Sequence, residues 1–86
     1  MISVERKDKD IFEVTVEESG GSTRHTVTVE DDYHLKLTGG QISKEELVRR
    51  SFEFLLEREP KESILSRFDL PQINRYFPNY EDEISC

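Results

Sequence analysis

The sequence predicts a small α+β domain. It reads as an N-terminal antiparallel β-hairpin or three-stranded meander, followed by one long helix and two or three short helices that prolines start. Three observations carry this. Apolar residues alternate with polar ones in the first third. A capped, broad-faced apolar pattern runs from Ser43 to Arg58. Pro60, Pro71 and Pro78 then cut the remainder into short pieces, since proline fits the first turn of a helix and not its interior.

Taken in order, Phe12, Val14 and Val16 alternate with Glu13, Thr15 and Glu17, and Val27 and Val29 alternate with Thr26, Thr28 and Glu30. Period-two alternation of β-branched residues marks half-buried strands. The stretch from Glu18 to Ser22 contains Gly20 and Gly21, so it supplies a tight connection. A register pairing Val14 with Val27 puts Glu17 opposite Arg24. Ile2 and Val4 add a third strand, with Arg6 to Asp10 as its turn. Residues 31–38 alternate at Tyr33, Leu35 and Leu37, which fits a strand. Asp31 as N-cap, the one-turn spacing of Tyr33 and Leu37, and Gly39-Gly40 at the end favour a short helix.

The long helix starts at a capping box of Ser43 and Glu46, with Ile42 and Leu47 at the staple positions. Leu47, Val48, Ser51, Phe52, Phe54, Leu55 and Leu56 make its apolar face wider than one stripe, so it is contacted on two sides. After Pro60, Ile64, Leu65 and Phe68 line one side of a second helix ending near Asp69. After Pro71, Ile73, Tyr76 and Phe77 line a third. Past Pro78, Tyr80 and Ile84 face inward from a last turn holding Glu81, Asp82 and Glu83.

The chain has 86 residues, enough for a single domain (1–86), with any disorder confined to its ends. Only 34% of residues are apolar and 36% are charged, so the core is small and self-association would relieve the shortage. A net charge of −7 repels phosphate backbones and anionic lipids, which disfavours nucleic-acid and membrane partners. Cys86, the single cysteine, is an incidental thiol that forms no internal disulfide. No apolar run approaches the roughly 20 residues of a membrane span, and no signal-peptide core opens the chain, so a cytoplasmic location is expected.

The catalytic inventory is poor. His25 falls on the inner face of the hairpin and reads as a core histidine. His34 lies beside Asp31 and Asp32, an arrangement that suits a surface cap neighbour as well as a metal or acid–base site. No serine occupies a nucleophile elbow, and Gly39-Gly40 lacks the rest of a phosphate-binding loop. No enzyme activity, cofactor, metal or small-molecule ligand is expected.

Two nucleic-acid patterns compete with a protein-binding reading. Residues 24–58 follow the order of ribbon-helix-helix repressors, but the outward set Arg24, Thr26, Thr28 and Glu30 holds one cation. Residues 62–77 look like a helix-turn-helix with Gln72, Asn74 and Arg75 exposed and Arg67 and Arg75 near phosphate. These make a DNA-binding regulator or antitoxin-like protein the alternative. The favoured reading is a non-catalytic protein-interaction module or homodimer. Six of the eight aromatics fall between Phe52 and Tyr80. The candidate contact residues are Phe54, Tyr76, Phe77 and Tyr80, with Arg49 and Arg50 as charged neighbours. Phe52, Phe68, Ile73 and Phe77 are needed to cover the hairpin, which leaves Phe54 and Tyr80 as the main surplus.

Val27-Thr28-Val29 with Asp32-Tyr33, the run Leu37 to Gly40, Ser43 through Pro60, Phe68 to Pro71 and Arg75 to Pro78 together resemble a family of short, uncharacterised bacterial proteins. The resemblance implies a bacterial or archaeal cytoplasmic protein of one domain. It carries no established activity and assigns no functional residue.

Overall fold

In the computed structural model, residues 1–85 are described; Cys86 lies outside the described residues. The N-terminal strands β1 (Ile2–Arg6), β2 (Ile11–Glu18) and β3 (Gly21–Thr28) form an antiparallel meander. A fourth strand, β4 (Arg67–Asp69), adds parallel to β3 and completes the sheet in the order β1-β2-β3-β4. Phe12, Val14, Val16, His25 and Val27 are buried on one face, as the alternation requires, while Glu13, Thr15, Arg24 and Thr26 stand on the other.

The hairpin register differs from the expected one by two residues. Val14 faces His25, Phe12 faces Val27, and Arg24 faces Thr15 rather than Glu17. A slip of two keeps every side chain on its own face, so alternation cannot detect it. The turn decides it. Ser19 and Gly20 take positive φ, 54° and 78°, and form a two-residue turn of the primed kind, so Gly21 becomes the first residue of β3.

Four helices follow among the described residues: α1 (Asp31–Thr38), α2 (Lys44–Leu56), α3 (Ile73–Tyr76) and α4 (Tyr80–Ile84). Helix α1 ends as expected on Gly39, left-handed at φ 62°, whose N–H bonds the Leu35 carbonyl. Its N-cap is Glu30, not Asp31. Asp31 sits inside the first turn, where the helix dipole favours a carboxylate, and pairs with Lys44 at 2.6 Å. Ser43 caps α2 by accepting from the Glu46 N–H at 3.0 Å. The reciprocal half of the box is not made, because the Glu46 carboxylate is engaged by Arg49 and Arg50.

The largest departure is after Pro60. No helix runs from there to Asp69. Instead a 3-10 turn (Lys61–Ser63) leads into β4. The open edge of β3 explains the outcome. Thr26 donates to the Ser66 carbonyl at 2.8 Å, and Phe68 turns inward between exposed Arg67 and Asp69. A helix over these residues would leave that edge of the β3 backbone unpaired, a cost the parallel strand removes. The helix expected to start at Pro71 does not do so: Pro71 lies inside a second 3-10 turn (Leu70–Gln72), where the Asp69 N–H bonds the Gln72 side chain at 2.8 Å, and α3 begins after it at Ile73. Helix α4 turns Tyr80 and Ile84 into the core, as expected.

Helix α2 supplies Leu47, Val48, Ser51, Phe52, Phe54 and Leu55 to the buried interior. Its two-sided contact is with the sheet and with α4. Phe52 lies against the His25 ring at 5.3 Å and the Phe68 ring at 6.0 Å on the sheet side. Phe54 meets Tyr80 at 5.2 Å and Phe77 at 5.9 Å on the other, both edge-on. No helix among the described residues is long and apolar enough to cross a membrane.

Candidate groove between α2, β4 and α3

An apolar concavity lies where the end of α2, the segment leading into β4, and α3 fail to close on one another. It is an open groove of about 400 Å³. Leu55 forms its floor from α2, with Ile64 and Phe68 from the β4 segment. Leu65, Tyr76 and Phe77 form its rim. Leu65 is 46% exposed and Tyr76 66% exposed, so two large apolar side chains stand in solvent on one depression. Glu59 lines the same groove and is the one charged residue that does. Burial pushes its carboxyl above the ordinary 4.5.

Local chemistry explains why this place stays open. Adjacent apolar residues in extended chain point to opposite sides, so Ile64 goes in and Leu65 goes out. The segment is held in that orientation by His25, whose Nδ1 donates to the Leu65 carbonyl at 2.8 Å. A carbonyl can only accept, so Nδ1 carries a proton, while Nε2 and the Thr23 hydroxyl share a hydrogen bond of 2.9 Å. His25 is therefore the structural core histidine expected, and it fixes one wall of the groove. On the other wall, α3 has a single turn. Ile73 is buried and Tyr76 is left outside, contrary to the expectation that both line one inner side.

The predicted contact residues separate into two groups. Phe54 and Tyr80, taken as the surplus, are the core: they are 5% and 0% exposed. Tyr80 reaches Ser51 at 2.6 Å, and Ser51 donates onward to the Leu47 carbonyl, so a buried phenol is satisfied by a helix serine. Arg58 covers the outer face of Phe54, its guanidinium 3.6 Å from the ring centre. Tyr76 and half-buried Phe77 do sit together, in the groove. Arg49 and Arg50 do not join them. They are held along α2 by Glu46, and Arg49 also pairs with Glu53 at 2.8 Å.

Of the groove lining, sequence reasoning singled out only Tyr76 and Phe77 as contact residues; Leu65 and Glu59 are among those it missed. The adjacent pair Ile64-Leu65 was the available signal, because an extended segment buries only one of two neighbours. His34 is likewise structural, its Nε2 donating to the Ile42 carbonyl at 2.6 Å. Asp31 is committed to Lys44 and Lys9, and no group of three or more His, Cys, Asp or Glu comes together as a metal site among the described residues.

The elements behind the two nucleic-acid patterns are arranged differently from expectation. Strand β3 is paired along both edges, by β2 and β4. Residues 62–77 fold as a 3-10 turn, a strand, a second 3-10 turn and one helical turn, so no helix-turn-helix forms. Gln72 accepts from the Asp69 N–H at 2.8 Å and Asn74 accepts from the Glu81 N–H at 3.1 Å, so both amides serve the fold. Comparison of the chain with protein-family models, curated proteins and solved structures finds no match.

Proposed function

We propose that this chain is a non-catalytic protein-binding module that takes a short segment of another protein into the groove between α2, β4 and α3. The observation that carries this reading is the pairing of Leu65 and Tyr76, both large and exposed, on the rim of one apolar depression. Scattered exposed apolar residues are ordinary, but a contiguous set around a concavity marks an interaction site. A groove of about 400 Å³ accommodates one or two large side chains, so the partner is a short segment and binding is on the order of micromolar.

A second copy of the chain is the weaker occupant. Each copy carries −7, and a symmetric contact through the groove would bring two Glu59 side chains toward one another in an apolar setting. The test is a selection of short peptides displayed against the protein, with binding mapped by amide chemical shifts. Selected peptides are expected to move resonances of Leu65, Phe68, Tyr76 and Phe77 and to lose binding at least tenfold in Leu65→Ser or Tyr76→Ser. Both positions are exposed, so both variants are expected to fold. Peptides that bind both variants as well as the parent, or that map to another face, would sink the proposal.

A further inference from the structure

Glu59 is out of place in this groove unless something charged answers it. The remaining lining is apolar or neutral, and the Glu59 side chain makes no hydrogen bond or ion pair among the described residues. The cations nearest to it in sequence are taken. Arg58 is bonded to the Phe54 carbonyl, Glu57 and Glu83, and Lys61 is paired with Glu62 at 2.8 Å. Its carboxylate is only partly shielded, no buried side-chain oxygen among the described residues lacks a partner, and so its oxygens stay open to a bound ligand while no cation of the chain pairs with them.

We infer that the segment bound here carries an arginine beside a large apolar residue, the apolar side chain filling the groove and the guanidinium set between the Glu59 carboxylate and the Tyr76 ring. This rests on the groove being a peptide site. Arginine is favoured over lysine because its planar guanidinium can accept a carboxylate along one edge and an aromatic ring on its face at once. The chain already builds such an arrangement nearby, where Arg58 lies over Phe54 and bonds Glu83 at 2.9 Å. The net charge of −7 adds long-range attraction for any cationic segment.

Fluorescein-labelled hexapeptides sharing a central Leu-Phe pair, and carrying arginine, lysine, citrulline or glutamate beside it, would be titrated by anisotropy. Arginine should exceed neutral, isosteric citrulline by about tenfold, the scale of one charge-assisted hydrogen bond, with lysine between them. In Glu59→Gln the ratio should collapse toward one. In Asp82→Asn, which removes an exposed charge outside the groove, it should persist. A ratio near one in the parent, or one that survives Glu59→Gln, overturns the arginine assignment and leaves the peptide site standing, provided Leu65→Ser and Tyr76→Ser still abolish binding. If those two variants bind all the peptides like the parent, both readings fall.

Discussion

Tyr80 and Ser51 show how one polar contact organises the interior. Tyr80 is fully buried, and burial raises its phenol well above the ordinary value of 10. Ser51 gives its own proton to the Leu47 carbonyl at 2.7 Å, so Tyr80 is the donor in the pair. The two members are therefore not equivalent. Tyr80→Phe leaves Ser51 with its backbone partner and should cost roughly 1 kcal/mol, the net worth of one neutral hydrogen bond. Ser51→Ala leaves a buried phenol without an acceptor and should cost about 1–3 kcal/mol. Urea denaturation of the two variants checks the order. A Tyr80→Phe loss larger than that of Ser51→Ala would mean that the hydroxyl pair is arranged the other way round. The Tyr33 hydroxyl makes a similar tie from α1, donating to Glu81 at 2.8 Å, and Lys36 meets the same carboxylate at 3.4 Å.

Among the elements, the β2–β3 turn is the place where local chemistry and register meet. A two-residue turn with positive φ at both positions suits asparagine or glycine first, and serine stands there instead. Ser19→Asn should stabilise the protein by roughly 0.5 kcal/mol by removing that conformational cost, and Gly20→Ala should destabilise it by about 1 kcal/mol. Thermal melts of both variants test the assignment. A stabilising Gly20→Ala would mean that residue 20 does not hold a positive φ, and the turn would then not be Ser19-Gly20. The same turn marks the boundary of what the residues reveal alone. Strand faces, the buried side of His25, the short helix at 31–38 and the Ser43 start of α2 all follow from alternation and capping, which are local. The register, β4 and the groove do not. Strand β4 forms because β3 has an open edge, a demand made by residues some forty positions earlier that no local spacing of Ile64, Leu65 and Phe68 contains. The candidate site was legible only in part for the same reason. Tyr76 and Phe77 were found because they are aromatic, while Phe54 and Tyr80 looked surplus until α4 folded back on α2.

At the scale of the whole molecule, the Cα radius of gyration of 12.0 Å matches the value of about 12 Å for one folded domain of this length. Most of its perturbed carboxylates support that fold. Hydrogen bonds from Lys44 and Lys9 hold Asp31 below 3.8, and those from Arg49 and Arg50 hold Glu46 below 4.5. Such groups stabilise the protein above their ordinary values and lose that contribution as pH falls through their lowered ones. Glu59 has the opposite sign. Burial raises its folded value above 4.5, so its cost is absent below that pH and grows as pH rises through the raised value, where the folded state must hold the ion in an apolar groove. Glu59→Gln should therefore raise Tm at pH 7 by about 2 °C, a small part of what a full kcal/mol would give in a domain this size, because the group is only partly buried. The gain should shrink to nothing as pH falls below 4.5, with the parent and variant melting together there. Melting curves from pH 3 to pH 8 measure the difference directly. A variant less stable than the parent at pH 7 would mean that Glu59 has an attractive partner within the chain, and the groove would then have no unanswered charge to offer an arginine.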